Sequence, residues 1–286
     1  MTVHFLMPSF TALDLRKLLP DSVNAFIEDS RAQGHSEKTI YVRVELLTRV
    51  NSIVISEGLS GLEDMTRQDI ARWLAGLKLS STSKATYFSH LRAYFNFLVV
   101  TGRLPASPME GMKRPKENQT VPRPLPAADV ARLLAIEEEP YRTAVRLALY
   151  AGLRAMEIAK LTRENITEDS ISVVAGKGGK NAHLPTHPII CEMVRDRGPG
   201  PVCPDPVTGG HMNADQMSCR YAYYVTRLGM PKCGLHRLRH TYATKLLRGG
   251  ANIRVVQELM RHSSLATTAR YTAVDDDEKR AALAVL

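Results

Sequence analysis

The second half of the chain carries polar residues whose types suit anion binding and proton transfer. Arg154 lies in Ala148-Leu149-Tyr150-Ala151-Gly152-Leu153-Arg154-Ala155-Met156-Glu157-Ile158. In so apolar a neighbourhood an unpaired guanidinium is costly, so it must be paired or functional. Glu157, three residues on, offers an ordinary i,i+3 partner. Lys177 and Lys180 stand in Gly176-Lys177-Gly178-Gly179-Lys180, where solvated turn lysines are the plain reading. His236 and Arg239 open Leu235-His236-Arg237-Leu238-Arg239-His240 one helical turn apart, on one face. A helix start carrying both can hold an anion, and an exposed basic helix end is the alternative. His262, in Met260-Arg261-His262-Ser263-Ser264, and Tyr271, in Thr267-Thr268-Ala269-Arg270-Tyr271-Thr272, read singly as a loop histidine and a packing tyrosine.

Their order and spacing say more than any one of them. Arg154, a lysine in a glycine-rich turn, His236-x-x-Arg239, then His262 and Tyr271 nine residues on resemble the tyrosine recombinase (phage integrase) family. The likeness extends through "AGLRAMEIAKLT", "GKGGK" and "GLHRLRHTYATKLLRGGANIRVVQELMRHSSLATTARYTAV", and covers essentially all of residues 126–275. It implies a site-specific recombinase that cuts and rejoins DNA through a 3′-phosphotyrosine on Tyr271. A phenol with a pKa near ~10 attacks only when its proton is removed and the phosphate is activated. Fixed cations can stabilise the transition-state charge without a metal, which suits Arg154 and Arg239 better than lysines. The resemblance makes Lys177 the general acid for the departing 5′-oxygen, and Glu157 a residue that orients the site. His236 is placed to shuttle the tyrosine proton, and His262 to donate a further hydrogen bond. No metal and no cofactor are expected. The glycine-rich turn lacks the spacing of a nucleotide-binding loop.

One position departs from the family pattern. Arg261 stands where the family usually has glycine before the histidine, which puts the local backbone and the placing of His262 in question. The tail "SSLATTARYTAVDDDEKRAALAVL" is most similar to short integrases of actinobacterial temperate phages that lack an arm-binding domain, and points to phage genome integration. A Xer-like or mobile-element recombinase is the alternative, and a catalytically silent DNA-binding regulator with the same fold a further one. The expected partners are double-stranded DNA core sites and three further copies in a homotetramer that exchanges C-terminal tails, with room for a directionality factor. The expected setting is the host bacterial cytoplasm, on DNA, with no membrane.

Elements that could position these residues follow from periodicity. Helices are expected from about Asp21 to Gly34, from the Ser36 cap to about Gly58 through Ile40, Val44, Leu47 and Ile55, from the Thr66/Asp69 capping box, and from about Ser83 to Gly102. Preceded by a short leader, they make a four-helix core-binding (SAM-like) domain over residues 1–104. Six of the sixteen prolines fall between Pro105 and Pro126, which reads as an extended, basic, solvated linker over 105–126. Residues 127–286 are expected to form a mixed, mostly helical catalytic domain, with helices at 127–137, 140–151, 155–161, 188–196, 214–228, 236–248, 252–261 and 264–272. Ser170–Val174 and Asn181–Thr186 read as a β-hairpin around the glycine-rich turn. The fold class is therefore mainly α with one small hairpin.

Composition agrees with a polyanionic partner. The chain has 286 residues, 44% of them apolar and 23% charged, with a formal net charge of +9. Candidate DNA contacts are Arg43, Lys84, Tyr87 and Arg92 on the helices, and Lys113, Arg114 and Lys116 in the linker, an ordinary solvated face being the alternative. No apolar run approaches the ~18 residues of a membrane span. The four cysteines form no Cys-x-x-Cys pair. His183 and His187, which straddle Pro185, read with Cys191 as scattered surface groups rather than metal ligands.

Overall fold

Polar caps fix where the helices of the first half begin. The computed structural model describes residues 19–117, 124–173, 181–230, 233–262 and 264–269. Ser36 Oγ accepts the Thr39 N–H at 3.3 Å and opens α2 (Glu37–Ser56), after α1 (Asp21–Ala32). Thr66 and Asp69 exchange backbone and side-chain bonds at the start of α3 (Arg67–Gly76). Ser80 caps α4 (Ser81–Val100) by accepting from Ser83 N, so that helix starts two residues ahead of the expected Ser83. Each such cap satisfies a backbone donor that the helix cannot, and contributes about 1 kcal/mol.

The chain divides into two units, Met1–Gln119 and Thr120–Leu286. In the first, α1 packs on α2 and α4 around Val23, Phe26, Ile27, Leu47, Val50, Leu91, Phe95 and Leu98. Tyr94 lies in this core, edge-on to Phe26 at 5.6 Å, with its hydroxyl 2.8 Å from Ser22 Oγ. Trp73 stacks on Tyr87 with ring centroids 6.3 Å apart. Ile55, expected on the buried stripe, is 53% exposed, because the stripe runs through Val50 and Val54 and one residue further on the helix turns about 100° away from it.

The proline-rich segment differs from an extended solvated strand of chain in its first part. Residues 105–117 fold back on the helices of the first unit: Met109 is buried, Arg67 donates to the Glu110 carbonyl at 2.9 Å, and Arg92 donates to that of Met112. The apolar side chains of Met109 and Met112 find the bundle, and two arginines satisfy backbone acceptors that proline-rich chain cannot pair internally. Residues 118–123 lie outside the description. Leu125 already belongs to the second core, and its N–H donates to Thr241 Oγ1 at 2.9 Å.

In the second unit α6 (Tyr141–Tyr150) is packed by α5 (Ala127–Leu134), α7 (Ala155–Lys160), α8 (Pro188–Val194) and α10 (Leu235–Arg248). The α9 helix (Ala214–Arg227) lies on α7, and α11 (Ile253–Leu259) bridges α10 and α12 (Leu265–Ala269). Strands β1 (Ser170–Val173) and β2 (Ala182–Pro185) pair antiparallel, Ser170 opposite Pro185 and Val173 opposite Ala182. Residues 174–180 between them, Lys177 and Lys180 included, lie outside the described residues. Ala144, Val145, Leu147 and Ala148 on α6 and Leu238 on α10 are fully buried, so the two helices that flank the polar cluster rest on one apolar core. Among the described residues no helix is long and apolar enough to cross a membrane.

The packing of Met109 makes a test of the folded-back segment. Met109→Ala removes a buried side chain and should cost about 2–3 kcal/mol of unfolding free energy. Limited proteolysis should then cut within 105–117 faster than in the parent, with urea melts giving the stability.

Candidate active site

The site is built on two backbone corners. The first, residues 151–154, joins α6 to α7 through Gly152, whose φ is +59°. A Cβ there would lie 2.5 Å from the Tyr242 ring, so both the backbone and the packing require glycine. The second corner, residues 260–262, ends α11. Arg261 has φ +51°, the left-handed region that glycine usually occupies, at the position where the resemblance leads one to expect glycine.

Four charged side chains meet between these corners. Glu157, in the first turn of α7, accepts the Arg154 N–H at 2.7 Å and Arg154 Nη1 at 2.9 Å. Arg261 reaches the same carboxylate with Nε at 3.2 Å from Oε1 and Nη2 at 2.6 Å from Oε2. Arg239, one turn into α10, lies 3.7 Å from Oε2 and donates to the carbonyls of Gly152 and Met260. Arg154 Nη2 donates to the Arg261 carbonyl at 3.3 Å, which ties the two corners together. Side-chain exposure sorts their roles: Arg154 is 38% open and Arg239 is 1% open. Arg154 is thus the half-open member of the pair and Arg239 the buried one. The interior carbonyls of Gly152 and Met260 need donors, and its guanidinium supplies them.

Three guanidinium charges against one carboxylate set the titration of their neighbours. Burial alone would raise the Glu157 pKa, but Arg261 hydrogen bonds and charge, the Arg154 N–H and the Arg239 charge outweigh it and lower the value. His262 is pushed down to about 4, first by burial and then by the charges of Arg239, Arg154, Arg261 and His236. Its Nδ1 lies 2.9 Å from the hydroxyl of Thr268, a fully buried residue of α12. A hydroxyl donating to Nδ1 leaves the ring proton on Nε2, so a neutral His262 can still donate a hydrogen bond. His236, at the start of α10, is exposed, with its ring 4.2 Å from that of His240.

The structure thus brings together Arg154, Glu157, Arg239 and His262, and Tyr271 lies outside the described residues with Lys177. It adds Gly152, Arg261 and Thr268, which the sequence reading did not place in the site. Arg261 had a signal, its departure from glycine, and Gly152 had one in its place between two apolar runs. Thr268 had none beyond its spacing. Of the other expected contacts, Arg43 is corrected. It is buried, with Nη1 2.5 Å from Ser30 Oγ and its guanidinium 4.9 Å over Phe26, because burying the stem closes the α1–α2 interface. Arg92 lies over Phe88 and is engaged with Met112, and Arg114 donates to Ser89 Oγ at 3.0 Å. Lys113 and Lys116 are exposed, and Lys84 and Tyr87 half-buried. His183 pairs with Ser172, His187 caps α8, and Cys191 points to the Glu168 carbonyl.

Residues 123–278 match the phage integrase family, and the chain belongs to that family of tyrosine site-specific recombinases. It is 32% identical to a tyrosine recombinase of Pseudothermotoga lettingae over 76% of this chain and 81% of that one. It is 31% identical to the tyrosine recombinase XerD of Shewanella oneidensis, covering 88% of this chain and 91% of the relative. Among solved structures, a lambda integrase dimer bound to a COC′ core site shares the fold at a TM-score of 0.73, with 17% identity over 90% of this chain and 98% of that one.

Two outcomes test this geometry. Gly152→Ala should destabilise the protein by about 2–4 kcal/mol, from the strained φ and the clash with Tyr242, as read by denaturant unfolding. The His262 ring should remain neutral by NMR titration down to about pH 4. The unfolded chain takes up that proton near pH ~6.5, so the stability that His262 contributes is present above that pH and is lost as pH falls from there towards 4.

Proposed function

We propose that this recombinase cleaves and rejoins double-stranded DNA by transferring a DNA phosphate to Tyr271, and that it integrates and excises a phage genome. The observation that carries the chemistry is the surplus of guanidinium charge held around Glu157, half-open at Arg154, beside a neutral histidine. Tyr271 Oη attacks phosphorus as its proton passes to His236, and the bond to the 5′-oxygen breaks as Lys177 protonates that oxygen. A 3′-phosphotyrosine results, and reversal with a new 5′-hydroxyl rejoins the strand. Arg154 holds the non-bridging oxygens and His262 donates to them, while Arg239 supplies fixed positive charge from behind the Gly152 and Met260 carbonyls. Glu157 orients the arginines. Residues of this chain supply each proton transfer and charge in the scheme.

Residues 1–104 act in this reading as a core-binding domain and 127–286 as the catalytic domain. Lys84, Tyr87, Lys113, Arg114 and Lys116 face DNA, and four copies assemble on synapsed core sites by exchanging C-terminal tails, with direction set by a further factor. The net charge of +9 and the DNA-bound lambda integrase neighbour support a DNA partner. The Xer recombinases among the relatives favour a second reading, in which the substrates are chromosomal or mobile-element sites.

Both readings are tested with duplex fragments from the DNA flanking the protein's own gene, nicked to trap covalent adducts. The parent should form an adduct that Tyr271→Phe abolishes while binding is kept, and Arg154→Ala should slow it roughly a hundredfold or more. An adduct on the phenylalanine variant overturns the assignment of the nucleophile. Adducts at a phage–host junction support integration, and adducts at a chromosomal site away from any prophage support the second reading.

A further inference from the structure

Arg261 occupies a backbone conformation that costs an arginine and not a glycine, and its side chain is committed in every direction. Its fork takes both oxygens of Glu157, its Nη1 donates to the Leu259 carbonyl at 2.8 Å, and its Nη2 also reaches the Gly152 carbonyl at 3.3 Å. Its own carbonyl accepts from Arg154. At 12% exposure the guanidinium is covered, so it cannot be a general phosphate ligand, and whatever it does is done through its partners.

Those partners are the ones that the proposed cleavage uses. Glu157 has two oxygens and three cations within reach. Paired two-pronged with Arg261, it is satisfied without drawing Arg154 into a fork of its own, and Arg154 gives it a single Nη1 bond. The second Arg154 nitrogen is then steered by the Arg261 carbonyl, whose direction depends on the left-handed turn. Side chain and backbone of one residue thereby fix Arg154 from two sides and leave its outer face open. We infer that Arg261 is a positioning residue for DNA cleavage, acting through Glu157 and Arg154, and replaces a bare turn at this corner with a guanidinium-braced one.

This inference rests on the recombinase reading, and the test separates the two. Single-turnover adduct formation on the nicked duplex is measured for the parent, Arg261→Gln, Arg261→Lys and Arg261→Gly, with DNA affinity and thermal melting beside it. Glutamine keeps the backbone strain and loses the charge, lysine keeps the charge without the fork, and glycine relaxes the turn. Arg261→Gln and Arg261→Gly should form adduct roughly ten- to hundredfold more slowly at saturating protein, with affinity within about twofold of the parent. Arg261→Lys should recover part of the rate. Guanidinium chloride should restore Arg261→Gly where sodium chloride at equal ionic strength does not. Parent-like cleavage by Arg261→Gln, or a slow Arg261→Gly that neither lysine nor guanidinium rescues in a folded protein, overturns the inference. Should Arg261→Gly fail to fold, the comparison of glutamine with lysine decides alone. A parent that binds DNA and forms no adduct overturns the recombinase reading, and this inference falls with it.

Discussion

Among the described residues one buried carboxylate, Glu157, faces three guanidinium groups, and the catalytic unit is arranged so that this imbalance can persist. Three cations and one anion in a half-dry corner repel one another unless they are held by fixed acceptors. Here the acceptors are the carbonyls of Gly152, Leu259, Met260 and Arg261. The cluster depends on that carboxylate, whose removal would leave the guanidinium groups without their anion at a cost of about 3–5 kcal/mol. It is a standing deficit of negative charge, with the donors already oriented. An arriving phosphate meets that deficit without the protein having to reorganise.

The apolar core makes the imbalance affordable. α6 and α10 bury small and branched side chains against each other, so the corner after α6 and the first turns of α10 are held by packing rather than by the charges. Gly152 lets Tyr242 close over that corner, and the short α7 starts at once with Glu157 in its first turn. His262 stays neutral because the same burial and the same cations act on it. Its contribution is a directed hydrogen bond and not a fourth positive charge.

Much of this was legible in the sequence where the signal is local. Ser36, Thr66 and Asp69 mark helix starts because a cap involves residues three apart, and the hairpin shows as two short stretches on either side of a glycine-rich segment. The order of Arg154, His236, Arg239 and His262 was readable as a resemblance. The partners of Arg43 were not. His35, Ser30 and Phe26 surround it only once α1 and α2 have packed, and a basic residue on a helix reads from sequence as exposed. The fold-back of 105–117 was hidden for a similar reason, since proline content speaks for extension while Met109 and Met112 are drawn to a surface elsewhere in the chain. Arg261 was visible as an oddity, but its meaning depends on a carboxylate 104 residues away.

The stack of Trp73 on Tyr87 has a practical consequence. The protein has one tryptophan, and it lies in the first unit. Light absorbed at the red edge of the aromatic band therefore enters the chain at a single known place, and the emission that returns describes the helical bundle and is silent on the catalytic half. The indole is 9% exposed, with a phenol ring lying almost parallel to it, so its colour and yield should respond to any separation of α3 from α4. Far-ultraviolet dichroism, in contrast, sums over both halves. Recording the two signals side by side turns an unlabelled protein into one whose halves can be watched separately as they melt, or as DNA is added.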